Sequence, residues 1–136
     1  MYKDFPEKVF LETDIIAEYL TEKKKGSPVL PDLMQNSICF TSVINAAELF
    51  YAAKNDLQKD AVRKVLTGLK VLGMHSRYSL LINNYSTLVN TVRDALICVL
   101  AEYNKLPVVT YNVDKFVKTK LTLLDPKKFR GKSVSG

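Results

Sequence analysis

Residues 9–20 read VFLETDIIAEYL, in which a short apolar run, an acidic turn and a helical pattern follow one another directly. The run Val9–Leu11 has no polar residue, which is typical of a strand buried on both faces of a sheet. It ends at Glu12, and apolar residues from Ile15 onward recur with the spacing of one helix face. The stretch therefore predicts a buried strand, an acidic turn and a helix in direct succession.

The same combination recurs along the rest of the chain. Ile38–Thr41 predicts a second buried strand, with Ser42 as the N-cap of the helix after it. Thr91–Tyr103 has the clearest helical pattern, and Val108–Thr110 predicts another buried strand. Apolar strands that alternate with helices predict an α/β fold whose parallel sheet is covered on both faces. The weaker elements are a helix at 57–69, a helical stretch at 79–89, short strands at 70–74 and 121–124, a short helix or turn at 112–118, and a loop, or a short helix followed by a loop, at 23–36.

Length and composition indicate one globular domain. The 136 residues are 47% hydrophobic and 25% charged, a profile that suits a packed core and argues against disorder. We expect a single domain over residues 1–130 and a disordered tail at 131–136. The formal charge of +6 suits a polyanionic partner such as nucleic acid, although a basic surface also serves solubility.

The cysteines favour a reducing environment, and the hydropathy argues against a membrane-spanning segment. Cys39 and Cys98 lie inside apolar segments, where free thiols behave as small hydrophobic groups. Residues 1–6 do not resemble a targeting segment, and no apolar run approaches the roughly 20 residues that span a bilayer. We therefore expect a cytoplasmic protein without a membrane segment.

Acidic and amide side chains follow the predicted strands. The carboxyl ends of parallel strands meet at one edge of a sheet, where open α/β sheets bind their ligands. We therefore expect a single site at that edge. The candidates are Glu12 and Asp14 after the first strand, Glu48 in the helix after the second, Asp94 in the first turn of the long helix, and Asn112 and Asp114 after Val108–Thr110.

Several carboxylates at one site repel each other unless a cation neutralises them. Mg²⁺ and Mn²⁺ prefer carboxylate and water oxygens. Beside a phosphodiester, such metals generate a hydroxide nucleophile and stabilise the leaving oxygen. This chemistry needs no His, Ser or Cys nucleophile, which suits a chain with a single histidine. The pattern favours metal-dependent hydrolysis of a nucleic-acid backbone.

Three of the candidates also have a purely structural explanation. Asp94 with Thr91 matches a T-x-x-D capping box at a helix start. Asp14 can serve as an N-cap, and Asn112 as an Asx-turn residue. Glu48 is harder to explain in this way, because it lies between alanine and leucine on an apolar helix, where a lone charge is costly.

Four segments carry a resemblance to a known family. They are VFLETDIIAEYL at 9–20, TSVINAAELFY at 41–51, VRDALI at 92–97 and VVTYNVDKF at 108–116. In this order and spacing they resemble the four acidic motifs of PIN domains, most closely those of VapC-type toxins. The resemblance covers most of the chain, including the apolar pair at 71–72 and LLDPKKF at 123–129.

The resemblance implies a three-layer α/β/α sandwich with a short, mainly parallel sheet. It also implies a Mg²⁺- or Mn²⁺-dependent endoribonuclease, a hydrolase that acts on RNA as the toxin of a type II toxin–antitoxin module. The expected partners are a second copy of the chain in a homodimer and a cognate antitoxin that inserts a segment near the active site. By motif, the catalytic residues are Glu12, Glu48, Asp94 and Asn112, and the metal ligands are Glu12, Asp14, Glu48, Asp94 and Asp114.

Two positions depart from the family pattern and leave an alternative open. Glu12 stands where the family has its first aspartate, and Asp14 is placed to take over part of that role. Asn112 stands at the fourth acidic position, where Asp114 or a water would complete the shell. The alternative is a weakened or inactive PIN-like module that binds RNA or a protein partner. A phosphotransfer protein of the haloacid-dehalogenase or receiver class is disfavoured, because neither pattern of nucleophilic aspartate and later lysine is present.

Overall fold

The computed structural model describes residues 5–21 and 27–128. The strands are β1 (Lys8–Leu11), β2 (Ile38–Ser42), β3 (Lys70–Leu72), β4 (Val108–Val109) and β5 (Leu123–Leu124). The helices are α1 (Thr13–Thr21), α2 (Leu30–Asn36), α3 (Val43–Ala52), α4 (Asp56–Thr67), α5 (Tyr78–Leu81) and α6 (Val92–Tyr103), with 3-10 turns at Ile82–Asn84 and Val113–Phe116.

All the strand pairs of the sheet are parallel, in the order β3-β2-β1-β4-β5. The central strand β1 aligns Phe10 with Phe40 of β2 on one side and with Val108 of β4 on the other. Because the strands run in the same direction, the residues that follow β1, β2 and β4 meet at one edge of the sheet. The predicted parallel sheet is confirmed, and its carboxyl edge holds the starts of α1 and α3 and the segment after β4.

Alternate residues of β1 point into two separate cores. Val9 and Leu11 pack on one face with apolar residues of α1, α2, α3 and α4, and Phe10 packs on the other with those of α5 and α6. All three side chains are fully buried, so neither face of this strand contacts water. That double burial explains why the run is continuously apolar instead of alternating. The three-layer α/β/α sandwich is confirmed.

Side-chain caps hold the starts of the two helices that carry acids towards the sheet edge. Ser42 Oγ accepts from the backbone N–H groups of Ile44 and Asn45, and Asn45 Oδ1 accepts in return from the Ser42 N–H. Thr91 Oγ1 accepts from the Asp94 N–H at 3.0 Å. Each cap stabilises its helix by about 1 kcal/mol. The prediction that Ser42 is an N-cap is confirmed.

Two of the weaker predictions need correction. The segment 23–36 has its helix, α2, at the end, where Pro31 lies in the first turn and its missing N–H costs nothing. The stretch 79–89 is helical only at its start, because α5 ends at Leu81 and the asparagines of the following 3-10 turn are weak helix formers. The predicted tail at 131–136 lies outside the described residues.

Both cysteines are buried free thiols, as predicted. Burial raises the pKa of Cys39 and of Cys98 to about 12, so neither is a thiolate near neutral pH. Across residues 5–21 and 27–128, every helix is too short or too polar to cross a membrane.

Candidate active site

Three carboxylates from three different elements lie at the carboxyl edge of the sheet. Glu12 directly follows β1, Glu48 projects from α3, and Asp94 lies in the first turn of α6. The side chains of Glu12 and Asp94 are only 3% and 8% exposed, whereas that of Glu48 is 37% exposed. We call Glu12, Glu48 and Asp94 the acidic cluster.

The guanidinium of Arg93 lies between these carboxylates. Its Nη1 donates to Glu12 Oε2 at 2.7 Å and to Asp94 Oδ1 at 2.9 Å. Its Nη2 donates to Glu12 Oε1 and to Glu48 Oε1, both at 2.8 Å, and its Nε donates to Glu48 Oε2 at 2.9 Å. Five of the six carboxylate oxygens in the acidic cluster therefore accept from one arginine, which makes a two-bond pair with each glutamate.

A second cation contacts the buried part of the acidic cluster. Lys115, in the 3-10 turn after β4, places Nζ 3.6 Å from Glu12 Oε2 and 3.4 Å from Asp94 Oδ1. These distances are longer than those of Arg93, and the lysine side chain is 39% exposed. Three carboxylates thus face two cations, so a net charge of −1 remains on the group.

Neutral side chains hold the two glutamates in place. The buried amide of Asn45 donates from Nδ2 to Glu12 Oε1 at 2.9 Å and to Thr13 Oγ1 at 2.8 Å. Thr13 Oγ1 in turn donates to Glu48 Oε1 at 2.5 Å. Asn45 is itself held by Ser42, whose Oγ donates to Asn45 Oδ1. The N-cap of α3 is therefore connected to the acidic cluster through one amide.

The electrostatics of the acidic cluster depend on Arg93. Its hydrogen bonds to Glu48 hold the pKa of that carboxyl below its usual value, and the hydroxyl of Thr13 adds to the effect. Burial alone would lower the pKa of Arg93, but the hydrogen bonds that it donates to Glu48 and Glu12 outweigh this effect and raise the pKa. The guanidinium of Arg93 therefore stays positively charged near neutral pH.

Asp14 makes its hydrogen bonds to the segment that follows β4. Its Oδ2 accepts from Thr110 Oγ1 at 3.0 Å, from the Tyr111 N–H at 2.9 Å and from Asn112 Nδ2 at 3.4 Å. Its Oδ1 is buried and has no hydrogen-bond partner within the described ranges. Desolvation raises the pKa of Asp14, and the charge of Glu12 adds to this. Asp14 thus connects the start of α1 to the chain after β4.

The structure divides five of the six predicted site residues into two sets and leaves the sixth, Asp114, apart from both. Arg93 joins Glu12, Glu48 and Asp94 directly, whereas Asp14 and Asn112 form a neighbouring pair at the end of β4. Asp114 lies exposed on the 3-10 turn that follows.

The oxygen donors of the acidic cluster suit a hard divalent cation in their chemistry. As the side chains stand, however, these oxygens surround a guanidinium, and nowhere in the described part of the chain are three Asp, Glu, His or Cys residues gathered around a point that would hold a metal. The donors therefore fit a divalent cation on condition that the Arg93 side chain moves out from between them.

Four residues of the site, Arg93, Lys115, Asn45 and Thr13, were not predicted from the sequence. Signals in the sequence pointed to two of them. Arg93 is a positive charge in the first turn of a helix, where the helix dipole disfavours it. Asn45 is polar on an apolar helix and lies three residues before Glu48, so both project from the same helix face.

Comparison with known proteins places this site in a family. The model of the PIN domain family matches residues 9–120. The chain therefore belongs to the PIN domain family, and the resemblance found in the sequence is confirmed. PIN domains are generally nucleases, and those nucleases typically use divalent metals. No curated protein matches the chain.

Solved structures with the same fold come from toxin–antitoxin complexes. A chain of VapBC2 from Rickettsia felis, bound to a DNA fragment from its promoter, is 23% identical and superposes with a TM-score of 0.72 over 87% of this chain and 98% of its own. A chain of VapBC-1 from nontypeable Haemophilus influenzae is 21% identical, with a TM-score of 0.72 over 88% and 98%. A chain of a Klebsiella pneumoniae toxin–antitoxin complex is 16% identical, with a TM-score of 0.72 over 87% and 97%. At these identities the likeness shows the fold.

Proposed function

We propose that this protein is a Mg²⁺- or Mn²⁺-dependent endoribonuclease that acts as the toxin of a type II toxin–antitoxin module. The observation that carries the proposal is the acidic cluster itself, in which carboxylates from β1, α3 and α6 meet at the edge where parallel α/β sheets bind ligands. Membership of the PIN domain family supports nuclease chemistry at this place.

The acidic cluster would hold the metal. When bound, the metal would lower the pKa of a coordinated water and stabilise negative charge on the leaving oxygen of the phosphodiester. Glu12 and Asp94 are buried and therefore fixed in orientation, while Glu48 is half-exposed on the solvent side. Asn45 orients Glu12 through its amide N–H, and Lys115 is placed to attract the phosphate backbone.

The pair at the end of β4 belongs to the same proposal. Asp14 Oδ1 has no hydrogen-bond partner among the described residues, and the exposed Asn112 donates from its amide to the other oxygen, Oδ2. These groups, with Asp114 on the adjacent turn, would complete the shell by direct contact or through water. Glu12 would keep the charge of the usual aspartate, with a reach that is one methylene longer.

The partners follow from the same family. The structural neighbours are toxin–antitoxin complexes, which supports a cognate antitoxin as a partner of this chain. The net charge of +6 supports an RNA substrate. A homodimer and a cytoplasmic location complete the proposal.

RNA cleavage by purified variants tests the function. The unmodified protein should cut structured RNA in the presence of Mn²⁺ and lose this activity in EDTA. Asp94→Asn should abolish cleavage while the protein stays folded, and Glu12→Asp should retain or increase it. Asp60→Asn, which removes the same charge from the exposed surface of α4, should leave cleavage unchanged. Undiminished cleavage by Asp94→Asn would refute the assignment of the site.

One observation favours a second candidate, a PIN module that binds RNA or a protein without cutting. Arg93 already satisfies five oxygens of the acidic cluster, so the structure has a charge-paired state that needs no metal. RNA binding without cleavage, by both the unmodified protein and Glu12→Asp in Mn²⁺, would support this candidate against the enzyme.

A further inference from the structure

We propose that Arg93 is a built-in counter-cation of the acidic cluster, whose side chain must leave before a divalent cation can bind. The inference rests on the proposed function, because it takes the acidic cluster to be the metal site. It adds that the same chain supplies a competitor for that site and so sets the concentration of metal at which the site fills.

The acidic cluster is already occupied by a cation of the same chain. Arg93 engages both oxygens of Glu12, both of Glu48 and one of Asp94, at 2.7–2.9 Å. These oxygens point at the guanidinium and use their lone pairs on it. A divalent cation needs the same lone pairs and draws oxygens to about 2.0–2.1 Å for Mg²⁺. A planar group several ångströms wide and a small ion cannot both lie between the three carboxylates.

The net charge of the acidic cluster also couples metal entry to the departure of Arg93. With Arg93 and Lys115 in place, the acidic cluster carries a net charge of −1. Adding a divalent cation to that arrangement would leave a net charge of +1 around two buried carboxylates. Exchanging Arg93 for the divalent cation leaves the group neutral. A buried group of charges is more stable when its net charge is close to zero. Metal entry and the departure of Arg93 are therefore coupled.

The Arg93 side chain can leave the acidic cluster without disturbing the fold. It lies in the first turn of α6, where the helix dipole opposes its charge, so its hydrogen bonds to the carboxylates and to Thr13 Oγ1, the latter at 3.2 Å, hold it there. Its side chain is 25% exposed, which leaves a route to solvent. The backbone of the neighbouring Asp94 is anchored separately by the Thr91 cap, so Asp94 keeps its place when Arg93 rotates outwards.

Binding of Mn²⁺ without RNA tests the competition. Titrations followed by the electron paramagnetic resonance of free Mn²⁺ would compare the unmodified protein, Arg93→Gln and Arg77→Gln. Arg77 is an exposed arginine at the start of α5, so its variant removes the same charge elsewhere. We expect Arg93→Gln to bind Mn²⁺ at least about tenfold more tightly than the other two. Equal or weaker binding by Arg93→Gln, or no binding by any of the three proteins, would overturn the proposal.

A second measurement uses the unmodified protein and separates physical displacement from a simple loss of positive field. With ¹⁵N-labelled arginine, the Nε–H signal of Arg93 should be protected from solvent exchange in EDTA and should lose that protection when Mg²⁺ is added. The signal is identified by its absence in Arg93→Gln or, if that variant does not fold, in Arg93→Lys. Saturation with Mg²⁺ while Arg93 stays protected would overturn the proposal.

Failure of this inference can be told apart from failure of the proposed function. Neither measurement uses RNA. If the protein exchanges Arg93 for metal but cuts no RNA, only the nuclease assignment is refuted. If the protein cuts RNA while the Arg93 Nε–H stays protected from solvent exchange, only the proposed exchange of Arg93 for metal is refuted.

Discussion

Replacing Arg93 with glutamine should destabilise the metal-free protein by about 2–4 kcal/mol. The change removes the five hydrogen bonds to the acidic cluster and leaves Glu12 and Asp94 as buried carboxylates with weaker neutralisation. Removing one partner of a buried ion pair costs about 3–5 kcal/mol. We lower this figure because Arg93 is 25% exposed and Lys115 still contacts both buried acids.

Urea and thermal unfolding in EDTA measure this loss. For a domain of this length, the expected loss corresponds to a fall in Tm of roughly 6–16 °C. Arg77→Gln is the matched control and should change stability by less than about 0.5 kcal/mol, since Arg77 is exposed. A double-mutant cycle with Glu48→Gln should give a coupling energy of about 0.5–3 kcal/mol, because Arg93 pairs with both oxygens of Glu48.

Two results would refute the reasoning about Arg93. One is a stability of Arg93→Gln in EDTA equal to that of the unmodified protein, since the buried carboxylates would then not need the guanidinium. The other is the same loss in Arg77→Gln, which would trace the effect to overall charge. Mg²⁺ should restore part of the stability of Arg93→Gln, because a cation that binds only the folded state stabilises it by mass action.

Three other substitutions or conditions give separate expectations. Asn45→Ala removes the amide that orients Glu12 and should cost about 1–3 kcal/mol and lower RNA cleavage, as measured by unfolding and by cleavage assays at saturating Mn²⁺. The pKa of Glu48 is lowered from 4.5, so its contribution to stability is present above that pH and is lost as the pH falls through the lowered value. Glu48→Gln should therefore reduce the fall in the free energy of unfolding that is measured as the pH is lowered below 4.5. Cys39 and Cys98, with pKa values raised to about 12, should resist iodoacetamide near neutral pH in the folded protein and react in urea, and rapid reaction of the folded protein would contradict their burial.

The parallel sheet could be predicted because its signal is local. Val9–Leu11 is apolar at every position, which is typical of a strand buried on both faces, and all three side chains are fully buried. The position of Glu12 after such a strand was enough to place it at the ligand-binding edge. A short helix was one of the two expectations for 23–36, but at the start of the segment and not at Leu30–Asn36, and the early end of α5 was missed. Short helices depend on their caps and on tertiary packing more than on periodicity.

The alternation of apolar runs and helices predicted a parallel sheet covered on both faces, and the positions of the acids predicted that Glu12, Glu48 and Asp94 would lie at one edge of it. The strand order β3-β2-β1-β4-β5 follows from no such local pattern and is known only from the folded structure. The group that lies between the three acids, the Arg93 guanidinium, becomes apparent only in the folded chain. Neighbouring residues of a helix do not face each other, so nothing local places the Arg93 guanidinium on the Asp94 carboxylate. The long arginine side chain turns into the site because carboxylates from two other elements converge there, and that convergence exists only after folding.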